Sequence, residues 1–396
     1  MSGIFLVAAK RTPFGSFGGS LKNMTATDLG VAATQAALAQ GNIDPSLIDS
    51  VFFGNVIQSS PDAAYLARHV ALRSGCPQPT PSLTINRLCG SGFETVILGA
   101  NAIRVGDAHM TICGGAENMS DAPMNVRGND ARWGVKLGAG MNMRDALWDG
   151  LTDSYAGTPM GVTAENLAKQ YGISREECDA FALRSQQTWA QAKADGVFDA
   201  EICPIDIKTR KGTQVVDTDE HPREATMEQL AKLPPVFDRE NGVVTAASSS
   251  GICDGAGSII VASEQAVNEH GLQPLCRLVS YGVVGCDPTV MGIGPVPAIQ
   301  QALAKADMTM GDVDRFEINE AFAAQFLACS KELDLDMDKT NLHGGAISLG
   351  HPLAASGSRI TAHLANEFAR NEDSKVHVGA ACIGGGQGIA LVLERV

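Results

Sequence analysis

Four side chains stand where the chain could work on a carbonyl group: Cys89, Asn319, His351 and Cys382. Cys89 follows an alternating segment, Ser82-Leu83-Thr84-Ile85-Asn86, and precedes Gly90-Ser91-Gly92 and a long helical run. A thiol at a helix N-terminus meets unpaired amide donors and the positive end of the helix dipole, which favour the thiolate. The glycines permit a sharp turn and leave room for a substrate carbonyl. His351 closes the run Gly344 to Gly350, just before a second helical segment. Cys382 ends an apolar strand ahead of Gly384-Gly385-Gly386, and Asn319 ends the strand 315–319 ahead of Glu320-Ala321-Phe322-Ala323. One buried cysteine or one histidine is ordinarily structural. All four at strand ends or helix starts, where open α/β sheets place their sites, form a less ordinary set.

The elements that position them repeat. A shift of 265 residues lays ATQAALAQG at 33–41 on AIQQALAKA at 298–306, with five identities in nine. The same shift lays Ile48–Phe53 on Val313–Ile318, Ser91-Gly92 on Ser356-Gly357, and Asn86 on His351. Each copy reads as an alanine-rich helix, a turn, a strand (Val51 to Val56; Arg315 to Asn319) and a helix opening at Ser-Gly (Gly92 to Val105; Gly357 to Ala369). Each then ends in an apolar strand closed by glycines, MTICGGAE at 110–117 and VGAACIGGGQG at 378–388. Alternating strands and helices predict an α/β fold with a parallel-type sheet in each half. The C-terminal strand GIALVLERV finds its counterpart in DGAGSIIVASE at 254–264, so the first half is interrupted. The expected organisation is a first half of residues 1–118 with 245–268, an inserted loop domain at 119–244, and a second half at 269–396. The insertion carries a helical stretch, Arg175 to Ala194, and is long enough to read as a substrate cover.

Composition excludes several classes. The 396 residues are 44% hydrophobic and 19% charged, enough for a large core and too many for one ordinary domain. A net charge of −14 with no dense basic tract argues against nucleic acid as a partner. No apolar run is long enough for a transmembrane segment. The ten cysteines form no C-x-x-C pair, so neither a disulfide scaffold nor a metal site is expected, and reduced thiols indicate an intracellular chain. Lys10, Arg11 and Lys22 precede the first acidic residue, Asp28, which suits either an uncleaved organellar targeting segment or a first strand, Ile4 to Ala9.

Five ordered blocks resemble the signature blocks of the thiolase family: NRLCGSG at 86–92, GGAENMS at 114–120, NEAFA at 319–323, GGAISLGHPLAASG at 344–357 and CIGGGQG at 382–388. The match runs from Ile4 to the C-terminus. The segments VAAKRTPFG, YLARHV, MGIGPVPAI and SRITAHL are most similar to the family's mitochondrial 3-ketoacyl-CoA-cleaving branch. The resemblance implies a duplicated fold of two mixed-sheet βαβ halves in αβαβα layers, with an inserted loop domain. It implies an acyltransferase of fatty acid β-oxidation that splits 3-ketoacyl-CoA into acetyl-CoA and a shortened acyl-CoA through an acyl-Cys89 intermediate. By resemblance His351 activates that thiol, and Asn319 holds a water that, with His351, completes one oxyanion hole. Cys382 is the general acid/base, and the amides of Cys89 and Gly384 make the second hole. Coenzyme A and acyl-CoA are substrates, with no tightly bound cofactor; Arg223 and Thr226 meet the nucleotide and Ser250 the pantetheine. The resemblance further implies a homodimer or homotetramer in the mitochondrial matrix, or in the cytoplasm of a bacterium.

Two positions depart from the family pattern. After GHP the chain reads Leu353-Ala354-Ala355 where glycine is usual, so Ala354 is expected to crowd the turn. Met124 stands where short-chain members carry a histidine, which favours longer substrates. The nearest alternative is an acetoacetyl-CoA thiolase condensing two acetyl-CoA. A ketoacyl synthase would carry a second histidine in place of Cys382. A non-catalytic scaffold or RNA-binding module on the same shell is opposed by the filled catalytic positions and the negative charge.

Overall fold

The computed structural model describes residues 3–210 and 212–396. Nine strands line up in one mixed sheet: β1 (Ile4–Arg11), β2 (Ser50–Gly54), β3 (Ser82–Ile85), β4 (Met110–Asn118), β5 (Cys253–Ser263), β6 (Cys276–Gly285), β7 (Arg315–Ile318), β8 (Val376–Ile383) and β9 (Gln387–Glu394). Their order is β7-β8-β9-β6-β1-β5-β4-β2-β3. Five helices matter most for the site: α1 (Ala26–Gln40), α2 (Ser91–Val105), α3 (Arg175–Ala194), α4 (Pro295–Lys305) and α5 (Leu353–Arg370).

The sheet carries the duplication. In the first half β3, β2 and β4 run parallel, and β5 and β1 follow antiparallel. In the second half β7 and β8 run parallel, and β9 and β6 follow antiparallel. A lone parallel bridge between Phe316 and Thr340 stands where β3 would have its equivalent. Within the sheet the halves meet at two residue pairs, Phe5 with Arg277 and Leu6 with Cys276. The sheet is therefore mixed rather than parallel throughout. The reason lies in the glycines: Gly385 and Gly386 adopt φ of +79° and +80°, which lets β8 turn straight back into β9.

Burial divides this sheet into layers. Leu29, Ala33 and Ala37 of α1 cover the outer face of the first half. Ala298, Ile299 and Ala302 of α4 do the same for the second. Between the half-sheets lie α2 and α5, where Phe93, Val96, Ile360 and Leu364 pack with Ile259 and Val261 of β5 and Ile389 and Leu391 of β9. The repeated Ser-Gly pair marks where these central helices cross. A Cβ on Gly92 would lie 2.4 Å from the Ser358 nitrogen, and one on Gly357 would lie 2.4 Å from the Phe93 nitrogen. The second helix starts at Leu353, a turn before the expected Gly357, because Pro352 occupies its N-cap and fixes the backbone for entry.

Every residue of α5 from Leu353 to Phe368 is buried, including charged ones, so each charge needs a partner. Arg359 Nη1 donates to Glu317 Oε1 at 2.5 Å. His363 Nδ1 lies 2.7 Å from Glu201 Oε2. The other oxygen of Glu201 accepts from Arg11 Nε at 2.8 Å, and the Arg11 guanidinium forks onto Asp219 at 2.7 and 3.0 Å. His363 and Arg11 hold the Glu201 carboxyl far below its usual range in spite of its burial. Glu201 and Asp219 come from the segment that leaves the sheet after Asn118 and returns at Cys253, so this network fastens that segment to both halves. Its long helix α3 covers the expected residues and opens with a capping box, Ser174 with Glu177. Phe181 on α3 stacks on Phe326 of the second half at 4.2 Å between ring centres.

Gly92→Ala is expected to destabilise the protein by about 2 kcal/mol or more, because the added methyl meets backbone rather than a movable side chain. Denaturant unfolding checks it, and an unchanged midpoint would contradict the crossing described.

Candidate active site

Cys89 sits on a strained elbow. Leu88 adopts φ of +48°, a left-handed conformation that costs a side-chain-bearing residue about 1–2 kcal/mol. Local hydrogen bonds hold it: Leu88 N donates to Asn86 Oδ1 at 2.9 Å, and the Ser91 hydroxyl donates to Leu88 O at 2.7 Å. The Arg87 guanidinium reaches Gln387 Oε1 of the second half at 3.0 Å. The nucleophile of one half is thus indexed to the glycine hairpin of the other. That hairpin aims the Gly384 N–H at the Cys89 sulfur.

His351 enters from the second half, its own N–H donating to Gly251 O at 2.8 Å. Its Nδ1 lies 2.6 Å from Ser356 Oγ and its Nε2 lies 3.4 Å from Asn319 Nδ2. The Asn319 amide can only donate from that nitrogen. The neutral ring therefore carries its proton on Nδ1, shared with Ser356, and Nε2 is a lone pair open to a proton. Asn319 Oδ1 is buried with no protein partner, which leaves an acceptor for a water or a reacting group.

The thiols rest neutral. Burial pushes Cys89 up to about 11, although the Gly384 amide pulls the other way. Burial and the Arg359 charge press His351 down to about 3. Cys382 is buried, and burial followed by the neighbouring Cys89 raises its thiol well above the ordinary value. Desolvation of the partly buried Cys89 works against the thiolate that a helix N-terminus favours. No hydrogen bond joins Cys89 to His351 among the described residues; both face one cleft. Catalytic contacts commonly tighten only when substrate is bound.

That cleft holds about 220 Å³ and is overwhelmingly apolar, with Met119, Trp148, Met160, Phe237, Met291 and Phe322 among its walls. This suits an acyl chain and an unbranched thiol arm better than a charged ligand. Ser250 lines it too, its N–H donating to Ala321 O at 3.0 Å. Arg223 and Thr226 do not line the cleft. Arg223 borders a separate open depression with Gln186 and Trp189, and the Thr226 hydroxyl caps the short helix Met227–Ala231. Met124 is 55% exposed and outside the cleft, so it does not select chain length by contact. Ala354 causes no crowding, because Gly54 and Gly115 face it without side chains.

Glu117 escaped the sequence reading although it lies in the GGAENMS block. Its Oε1 accepts from Asn55 Nδ2 at 3.1 Å and Ile57 N at 2.8 Å, and its Oε2 from Val56 N and Ala354 N at 3.1 Å each. Burial lifts this carboxyl to about 7 against those donors. It joins a first-half loop to the start of α5, three residues beyond His351. A lone glutamate ending a strand gave no sequence signal of such a clamp.

Residues 4–265 match the family model for the thiolase N-terminal domain, and residues 272–395 that for the thiolase C-terminal domain. The chain is 57% identical to the mitochondrial 3-ketoacyl-CoA thiolase of Bos taurus, covering 100% of this chain and 99% of that protein. It resembles the crystal structure of human mitochondrial 3-ketoacyl-CoA thiolase in complex with CoA, with a TM-score of 0.96, 55% identity, and 100% and 98% of the two chains covered. It also resembles the Bacillus anthracis acetyl-CoA acetyltransferase, at 44% identity and a TM-score of 0.96, covering 100% of this chain and 99% of that one.

The neutral pair makes a prediction. At pH 7 the free protein should show no ultraviolet thiolate absorbance attributable to Cys89, and such absorbance should grow only in strongly alkaline solution. A thiolate signal at pH 7 that vanishes in Cys89→Ala would contradict it.

Proposed function

The chain belongs to the thiolase family, and from that premise we propose that it is a 3-ketoacyl-CoA thiolase whose chemistry runs through Cys89, His351 and Cys382. In the first step His351 Nε2 takes the Cys89 proton as the sulfur attacks the C3 carbonyl of 3-ketoacyl-CoA. The C2–C3 bond breaks, leaving an acyl group on Cys89 and the enolate of acetyl-CoA. Cys382 gives its proton to that carbanion and becomes a thiolate. His351 Nε2, now protonated, and a water on Asn319 stabilise the enolate oxygen.

In the second step the Cys382 thiolate deprotonates incoming CoA, whose sulfur attacks the acyl-Cys89 carbonyl. The Gly384 and Cys89 amides receive the oxyanion, and each such donor is worth roughly 3–4 kcal/mol. Release of the shortened acyl-CoA returns a Cys89 thiolate, which recovers its proton from His351. The chain thus uses CoA and acyl-CoA as substrates and needs no tightly bound cofactor. One observation carries this reading: Cys89 from the first half and His351 from the second line one apolar cleft. The apolar walls of that cleft favour chains longer than acetoacetyl.

We further propose that Arg223 and Thr226 meet the nucleotide of CoA outside the cleft and that Ser250 meets the pantetheine. The division into residues 1–118 with 245–268, 119–244 and 269–396 separates the two repeated halves from the inserted cover. A homodimer or homotetramer is proposed, supported by the sheet-edge strand β3, where Leu83 is 49% exposed. The mitochondrial names of the relatives support the matrix of that organelle, or the cytoplasm for a bacterial host.

Intact-mass measurement after mixing with acetyl-CoA should show one acetyl adduct, absent from Cys89→Ala. Thiolysis should fall by orders of magnitude in Cys89→Ala and strongly in His351→Ala and Cys382→Ser. Wild-type kcat/KM should be higher for 3-ketohexanoyl-CoA and longer substrates than for acetoacetyl-CoA. Near-normal turnover in all three variants would overturn the roles assigned.

A further inference from the structure

A second cluster of reactive side chains lies apart from the cleft, where the loop leading to His351 meets α5. His343 Nδ1 faces His363 Nε2 at 3.0 Å and Glu367 Oε2 at 4.0 Å, and the three groups lie within 4.8 Å of one another. His363 and Glu367 are one helical turn apart on α5, so they share a face. A cavity of about 10 Å³, roughly the room of one water-sized sphere, adjoins them. From this arrangement we infer a binding site for one borderline divalent cation of the zinc type, held by His343 Nδ1, His363 Nε2 and Glu367 Oε2.

Three features beyond the cluster itself support the assignment. First, the far nitrogen of His363 is already spoken for: Nδ1 lies 2.7 Å from the Glu201 carboxylate, itself clamped by Arg11. A carboxylate in that place fixes the imidazole tautomer with its Nε2 lone pair toward the cation, as the outer partners of zinc-bound histidines do. Second, the donor set of two imidazoles and one carboxylate is the kind zinc takes, at about 2.0–2.2 Å each. Ligands that distance from a common centre stand roughly 3–3.5 Å apart. The His343–His363 spacing already meets that range, and Glu367 Oε2, 4.0 Å from His343 Nδ1, must move inward. Third, the His343 side chain is 21% exposed, while the other two are buried, so entry needs only its movement. Arg370 shares Glu367 Oε2 at 2.8–2.9 Å and stays as that carboxylate's outer partner. Its positive charge, with that of Arg315, whose Nε lies 3.8 Å from Glu367 Oε1, weakens the attraction for a cation.

The sequence reading expected no metal site because it searched for paired cysteines, and this set contains none. Bound there, a cation would tie the loop 341–345 to α5 and, through Glu201, to the inserted segment. The loop runs on through Gly344–Gly350 to His351, so the cation would steady the route to the base without touching substrate.

Cobalt(II) is the probe, because its visible absorbance reports the ligands. Metal-stripped full-length protein titrated with cobalt should develop d–d bands saturating near one equivalent per chain, without the near-ultraviolet charge transfer that a thiolate ligand gives. Zinc should displace them. The bands should persist in Cys89→Ala, which separates this site from the catalytic thiols. In His343→Asn, a change at a partly exposed loop residue, binding should weaken at least tenfold with the circular dichroism spectrum unchanged. Glu367→Gln should weaken it similarly. Absence of bands in the wild type leaves only a hydrogen-bonded histidine pair and overturns the inference. Equal binding by His343→Asn, or bands that require Cys89, would overturn it as well.

Discussion

Where the two halves exchange their loops sits the carboxylate of Glu117, answering three donors from residues 55–57 and one from Ala354. The first three belong to the loop after β2, and the fourth opens the helix that follows His351. A duplicated fold brings two similar strand ends near each other, but nearness alone does not set a nucleophile against a base. Here a buried acceptor holding four donors fixes the offset. Burying a carboxyl is costly, which is why it is lifted to about 7, and four donors offset that cost. The glycine crossing of α2 and α5 sets the same offset in backbone, through contacts that admit no Cβ.

With the loops fixed, desolvation becomes the chemical lever. Cys89, His351 and Cys382 are all pressed toward their uncharged forms by burial. A neutral thiol beside a neutral imidazole stores no ion pair, so charge develops only as substrate enters and the Gly384 amide finds an oxyanion to hold. A charge on Cys89 raises the Cys382 thiol further, so the second thiol ionises less readily beside the first. That coupling suits a cycle in which one is acylated while the other moves the proton.

Much of this was legible in the chain. The offset of 265 residues located both central helices, because Ser91-Gly92 and Ser356-Gly357 are where packing tolerates no side chain. The helix Arg175–Ala194 followed from its pattern and cap. What local pattern could not show was tertiary. The antiparallel return of β9 depends on the positive-φ Gly385 and Gly386, and that of β5 on a partner strand far away in sequence. The early start of α5 depends on Pro352 and on the Glu117 carboxylate reaching Ala354. The neutral resting state of Cys89 depends on burial, which a helix-terminus argument leaves out. Met124 read as a specificity position, yet its place on an exposed hairpin removes it from the cleft.

The clamp is tested most directly by Glu117→Gln, which keeps shape and removes acceptor capacity and charge. Single-turnover acylation of Cys89, followed by rapid quench and mass, is the measurement, with circular dichroism confirming that the fold persists. Losing charge-assisted hydrogen bonds of about 1.5–3 kcal/mol predicts acylation slowed by roughly 10- to 100-fold. Acylation at the wild-type rate in a folded Glu117→Gln protein would contradict the account.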